Sequence, residues 1–464
     1  MSLRCFFLVI AITYNFKKTI VHRLCEENIF NRKTGTICVT GTLYVGVLNN
    51  MKFESIKNQF KDLKKPLYAN SLYISLSSLT MAVAGFFFWS ISAKIYPPES
   101  VGIASAVISA INIVFIASFL GMNFSLIRFY PEYKEHSAGT ALILTSFLSL
   151  CLSLLYWLVI GRSGKFEDIS AVDLLFLFVV LSMIETMYNV FLTYGIAMRK
   201  AKHAFVQSIL FAMRFIFLFL LRPFGAKGII ASFGLGLALG LFYAVIKIDN
   251  IVLTVDRKFL RDSFKFSLGN YIANIANATP LYIMPTVVLS ILGEEWTAYY
   301  YISFSVGNML MLIPNSLNTS FFVEGSYGLS DLENSFKKVL MLSYLYLAIV
   351  NIGIWAFGGL ILGFFGKGYI QGLELLRLVA LGGFFMIFVD FTVTVLNIQK
   401  KIQEIVVINV LKAVLLLGLS YLLIPQFKIT GIGWAWVITY VVLSVFGAVL
   451  LRFRIFKKES VSFP

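Results

Sequence analysis

The chain has 464 residues, of which 59% are hydrophobic and 13% charged, with a mean hydropathy of +0.84; soluble domains carry about 25% charged residues, so a water-soluble fold is excluded. Its apolar residues come in long continuous runs rather than in alternation, which points to membrane-spanning helices and away from a β-barrel. The net charge of +16 records membrane topology rather than nucleic-acid binding, and four cysteines, three of them in the first fifty residues, give neither a disulfide framework nor a metal site.

Residues 1–50 do not match the rest. Their apolar runs, Cys5–Tyr14 and Thr40–Leu48, are too short to span, and no small-residue cleavage site precedes Lys17. They are expected to form a poorly ordered extension outside the native product, with Met51 as its start. In residues 51–66, Phe53, Ile56, Phe60 and Leu63 recur at helical spacing among five lysines. This reads as an amphipathic helix lying on an anionic leaflet, or else as a solvated basic tail.

Twelve apolar runs follow, each near the roughly 20 residues a helix needs to cross the hydrocarbon core. They cover about 70–95, 101–125, 139–161, 171–198, 203–222, 227–248, 268–292, 297–322, 338–362, 371–397, 404–424 and 430–453. Between the first two stand only Tyr96-Pro97-Pro98-Glu99-Ser100, whose prolines stop one helix and reverse the chain. Joints on the side where span 1 begins carry twenty-three Lys and Arg against seven on the other side. Both termini are therefore expected in the cytoplasm of a multi-pass protein of the cell membrane.

The chain also repeats itself. Ile95–Gly102 parallels Ile291–Ala298, Met198-Arg199-Lys200 parallels Gln399-Lys400-Lys401, and Phe224–Ile229 parallels Phe427–Ile432, at offsets of 196, 201 and 203 residues. Six spans recur as six, an even number, so the halves share one orientation as parallel repeats do. The expected fold is an all-α membrane protein of two six-helix bundles, residues 67–250 and 251–458, around a central cavity.

Polar groups at membrane depth are the informative residues, because they are costly there. Arg214 is eleven residues into span 5, about 16 Å at 1.5 Å per residue; Lys412 lies in span 11 and Arg377, after Glu374, in span 10. Two acids, Glu185 in span 4 and Asp390 in span 10, are candidate partners, as Glu185–Arg214 and Asp390–Lys412, with a structural or a coupling role. Asn70, Asn270 and Asn274 are candidate cavity residues of spans 1 and 7. Pro280, Pro285 and Pro314 interrupt spans 7 and 8 and are candidate hinges, since the carbonyls they free need protein or a wet cavity. No catalytic constellation, metal cluster or cofactor motif is present, so an enzyme is not expected.

The strings AKIYPPESVGIASAV and LGMNFSLIRFYPE resemble the opening of the polysaccharide flippases of the multidrug/oligosaccharidyl-lipid/polysaccharide exporter superfamily. With the repeat, the resemblance covers about residues 51–458. It implies a monomeric alternating-access flippase that moves a polyprenyl-diphosphate-linked oligosaccharide from the inner to the outer leaflet for surface polysaccharide, such as lipopolysaccharide. Glycosyltransferases and a polymerase would be its neighbours in that process. Arg214, Lys412 and Arg377 would suit the anionic headgroup. The rivals are a cation-coupled multidrug exporter of the same superfamily, a lipid II flippase, a membrane-embedded glycosyltransferase or ligase, and a lipid scramblase.

Overall fold

The computed structural model describes residues 66–160, 171–248, 251–326, 332–399 and 401–452. The extension 1–50 and the amphipathic stretch after it lie outside the described residues. Ten described helical stretches are long and apolar enough to cross a membrane; they hold eleven spans, and span 8, outside them, makes twelve. One stretch, Pro98–Val159, has 62 residues and breaks at Leu120 and Gly121 and again at Lys134 (φ 44°, ψ −124°), so it holds spans 2 and 3. Span 8 escapes the length criterion because it is split into Glu294–Met309 and Leu312–Ser326.

The remaining spans are Pro66–Ile95 (span 1), Ala171–Ala197 (4), Gly225–Lys247 (6), Arg257–Leu292 (7), Leu332–Gly363 (9), Leu373–Ile398 (10), Ile402–Phe427 (11) and Ile429–Leu450 (12). Span 5 is two helices, Ala201–Ala212 and Arg214–Leu220. Pro98 opens span 2 at its first turn, where a missing N–H costs nothing. The residue before it, Pro97, has its counterpart before span 8 in Gly293, at φ 92°, a value glycine adopts without strain.

The halves are built alike. Span 1 packs on 5, 5 on 6, 4 on 6 and 3 on 4; correspondingly 7 packs on 11, 11 on 12, 10 on 12 and 9 on 10. Glycines let helices approach closely where the halves meet. A Cβ on Gly102 would stand 1.8 Å from the carbonyl oxygen of Glu294, and one on Gly139 would stand 1.8 Å from that of Val252.

Span 2 packs on span 8 across the halves, and two further seams that join them differ. Spans 2 and 3 lie along span 7 from end to end: Tyr156 Oη is 2.9 Å from Thr286 Oγ1, and Tyr271 Oη donates to the Ala117 carbonyl at 2.9 Å. At the end bearing the basic joints, Tyr133 Oη donates to Asp262 Oδ2 at 2.7 Å, and Thr140 donates to the Thr254 carbonyl at 2.9 Å. Tyr133 sits at the turn between spans, and the Asp262 carboxylate it bonds holds its hydroxyl protonated well above the ordinary tyrosine range. The second seam, span 1 with span 8, closes at the opposite end only. There Trp89 meets Tyr301 at 4.4 Å between ring centroids, and Phe86 meets Phe365 at 6.4 Å. Toward the basic end span 1 packs on span 5 through Tyr73 and Phe205, leaving Leu79 and Val83 exposed.

Candidate functional site: two buried charge pairs

Each half holds one acid on its fourth helix and one cation on its fifth. In the N-terminal half Glu185 and Arg214 are both buried and are electrostatic neighbours. The helix tightens just before Arg214, where the Ile216 N–H bonds the Met213 carbonyl at 3.0 Å. Around the guanidinium stand Phe211, Phe88 and Phe233, with ring centroids 3.9, 5.1 and 5.5 Å from Cζ, a cation–π enclosure. Gly236 backs it: a Cβ there would fall 2.7 Å from Arg214 Cβ. From the other half, Tyr282 faces Glu185 and Tyr301 faces Arg214.

In the C-terminal half Asp390 and Lys412 are likewise neighbours. Lys412 Nζ donates to the side-chain oxygen of Asn277 and lines a cavity of about 150 Å³. The other walls are Asn277, Pro280, Leu281 and Met284 of span 7, Tyr300, Phe304 and Asn308 of span 8, Met386 of span 10, Leu416 of span 11, and Ile432, Trp436 and Tyr440 of span 12. The Trp436 indole nitrogen is buried without a hydrogen-bond partner. Neither charge pair closes to ion-pair distance, whereas Lys258–Glu132, Lys337–Glu333 and Arg377–Glu374 do.

The other sequence candidates separate. Arg377 Nη1 bonds Glu374 at 2.8 Å, its Nη2 donates to the Trp355 carbonyl, and its Cζ lies 4.7 Å from the exposed Trp355 ring. Glu374, one turn back on the same helix, draws it toward span 9 and away from the cavity. The Asn70 side-chain oxygen accepts from the Ala201 N–H at 3.0 Å, satisfying a free donor at the start of span 5. Asn274 is exposed one turn from Asn277, on the same helical face; the side chain of Asn270 lies outside the described residues. Pro280 lines the cavity, and span 7 stays helical through Pro280 and Pro285. Pro314 falls in the first turn of Leu312–Ser326, so the break in span 8 precedes it.

Sequence reasoning missed the aromatic walls, Tyr300, Phe304, Trp436 and Tyr440, and the phenylalanines around Arg214. Only Phe211, three residues before Arg214, carried a readable signal.

No family model and no curated protein sequence matches the chain. Solved structures do. The lipid II flippase MurJ in an inward closed conformation superimposes with a TM-score of 0.72 at 15% identity, over 82% of this chain and 87% of MurJ. An inward-facing multidrug resistance MATE family transporter of the MOP superfamily gives 0.64 at 15% identity, over 85% of this chain and 100% of that one. An outward-facing MATE transporter gives 0.55 at 16% identity, over 86% and 97%. At these identities the likeness is one of fold. The chain is a multi-pass membrane protein with the two-repeat helical fold of the MOP-superfamily transporters. This fold agrees with the flippase resemblance in the sequence.

Proposed function

We propose that the protein is an alternating-access flippase that carries a polyprenyl-diphosphate-linked oligosaccharide from the inner to the outer leaflet for surface polysaccharide assembly. The observation that carries this reading is the cavity of the C-terminal half, where the Lys412 ammonium, two amides and four aromatic rings meet at membrane depth. A cation there suits phosphate, and amides and an unpaired indole N–H suit hydroxyl groups. At about 150 Å³ the cavity has room for about five waters at roughly 30 Å³ each. It would engage one phosphate at a time, with the bulk of the headgroup between the halves.

The open side of the span 1–span 8 seam supports the same reading, because a lipid-linked cargo must keep its tail in the bilayer while its headgroup enters. With the basic end cytoplasmic, as the lysine asymmetry indicates, that opening faces the inner leaflet. The multidrug-exporter reading draws on the two buried acids and the aromatic walls, which would suit a cationic amphiphile.

Proteoliposomes loaded with a fluorescent polyprenyl-diphosphate sugar test the choice. Lys412→Ala should slow outward movement of the probe about tenfold or more, with membrane insertion retained, and Lys412→Ala/Asp390→Asn, which leaves no unpaired acid, should show the same slowing. Unchanged flipping in both Lys412→Ala and the Lys412→Ala/Arg214→Ala double mutant, with export of a cationic dye lost instead, would replace the flippase by the drug exporter.

A further inference from the structure

Three exposed lysines, Lys200, Lys202 and Lys247, surround the half-buried His203 as its charged neighbours. They come from the residue before span 5, the first turn of span 5 and the last residue of span 6. His203 Nδ1 lies 3.0 Å from Tyr243 Oη, a contact that ties the two helix ends together at the centre of the group. When the Tyr243 hydroxyl donates to Nδ1, Nε2 carries the ring proton and offers it as a further donor. Among the described residues no acid pairs with any of the three lysines.

Topology places lysines at this end of the spans in both halves, so the repeat serves as a control. Under the 201-residue offset Lys202, His203, Tyr243 and Lys247 fall on Gln403, Glu404, Ser444 and Ala448, and only Lys200 keeps a basic counterpart, Lys401. The 203-residue offset, which fits the start of spans 6 and 12, sets Phe446 and Leu450 opposite Tyr243 and Lys247, with the next cation at Arg452. The C-terminal half thus carries its topology signal without this cluster, and topology alone does not account for it.

Just inside the lysines, span 6 turns bare apolar side chains outward: Phe242, Val245 and Ile246 are 68%, 55% and 52% exposed. Spans 5 and 6 pack on each other and on spans 1, 2 and 4, so this corner belongs to the N-terminal half alone. Tyr243 stands one turn from Lys247, about 6 Å at 1.5 Å per residue, the depth at which an aromatic hydroxyl meets the headgroup layer. Cations at headgroup level above lipid-exposed apolar side chains match the two parts of an anionic phospholipid, its phosphate and its acyl chains.

We propose that Lys200, Lys202, Lys247 and the His203–Tyr243 pair form a binding site for the phosphate of an anionic phospholipid, in the leaflet at the basic end, with an acyl chain lying along Phe242 and Ile246. The site is separate from the cavity between spans 7, 8, 11 and 12 and does not depend on the identity of the cargo.

The test titrates the delipidated full chain in detergent with phosphatidylglycerol and, separately, with phosphatidylcholine, and counts bound lipid by native mass spectrometry. The unmodified protein should hold one phosphatidylglycerol about a hundredfold more tightly than phosphatidylcholine. Lys200→Gln, Lys202→Gln and Lys247→Gln should each weaken phosphatidylglycerol about fivefold, and the triple variant about a hundredfold, with phosphatidylcholine unaffected. Lys200→Arg/Lys202→Arg/Lys247→Arg keeps the charge and should keep the preference, which separates loss of the site from loss of the fold. Lys338→Gln/Lys401→Gln, at the same end of the other half, should leave the preference unchanged. Equal weakening by that control would mean a diffuse basic surface, and equal binding of the two lipids by the unmodified protein, or an undiminished preference in the triple Gln variant, would mean no site; each of these results overturns the proposal.

Discussion

The two charge pairs are repeats of one another with a shift. Under the 201-residue offset Lys412 stands opposite Phe211, three residues before Arg214, and Asp390 stands opposite Asn189, four residues after Glu185. Spans 4 and 10 run toward the basic end and spans 5 and 11 run away from it. Both members of the C-terminal pair are therefore displaced the same way, by about one 5.4 Å turn, toward the basic end. Their surroundings differ as well. Lys412 is hydrogen-bonded and lines a cavity, whereas Arg214 is stacked among phenylalanines with donors unused. The shift gives the halves cations at two depths, and the difference in lining makes one a polar contact site and the other a reserve of unspent donors.

The comparison can be broken most severely at Lys412. Lys412→Glu would place a second acid beside Asp390, and an uncompensated buried charge costs about 3–5 kcal/mol. Loss of monodisperse protein on size-exclusion chromatography is the expected outcome, and normal stability would mean that the two residues do not share an environment. Arg214→Met should cost less, about 3 kcal/mol, since it forfeits a desolvated cation–π contact and leaves Glu185 without its cation but adds no second acid; thermal melting in detergent measures it. If Arg214→Met proves the more damaging of the two, the contrast between a bonded and an unbonded cation is wrong.

Smaller effects sharpen the picture. Gly236→Ala pushes on Arg214 Cβ and on the Phe211 carbonyl, 2.8 Å from the added carbon, and overpacking of this kind costs about 1–3 kcal/mol. Its melting temperature should fall, and it should fall less when combined with Arg214→Ala. Lys258→Ala marks the lower end. Its contact with Glu132 is 3.3 Å long, but the side chains are 72% and 56% exposed, and such pairs contribute about 0–1 kcal/mol. A melting curve overlying that of the unmodified protein is the expected result.

Much of this was legible beforehand. Continuous apolar runs, proline and glycine joints and the lysine asymmetry are local properties of the chain, and they define twelve helices in two like halves. Arg214, Glu185, Lys412 and Asp390 were visible because charge at membrane depth stands out against lipid. Their placement on neighbouring helices was legible too, although neither pair closes to ion-pair distance. What the sequence could not rank was an asparagine against an asparagine. Asn70 and Asn277 look alike in a hydropathy profile, yet one caps span 5 and the other holds the ammonium of Lys412.

Chain order and hydrophobicity alone thus determined the spans, the repeat and the identity of the buried charges, because those depend on each residue's own cost in hydrocarbon. Tertiary structure alone decided which face each charge presents and what surrounds it. Arg377 turned to Glu374 and Trp355 on the flank of the bundle, and Trp436 and Tyr440 came round to Lys412, through helix rotations and crossings. Those are set by packing between residues far apart in sequence, and no local pattern records them.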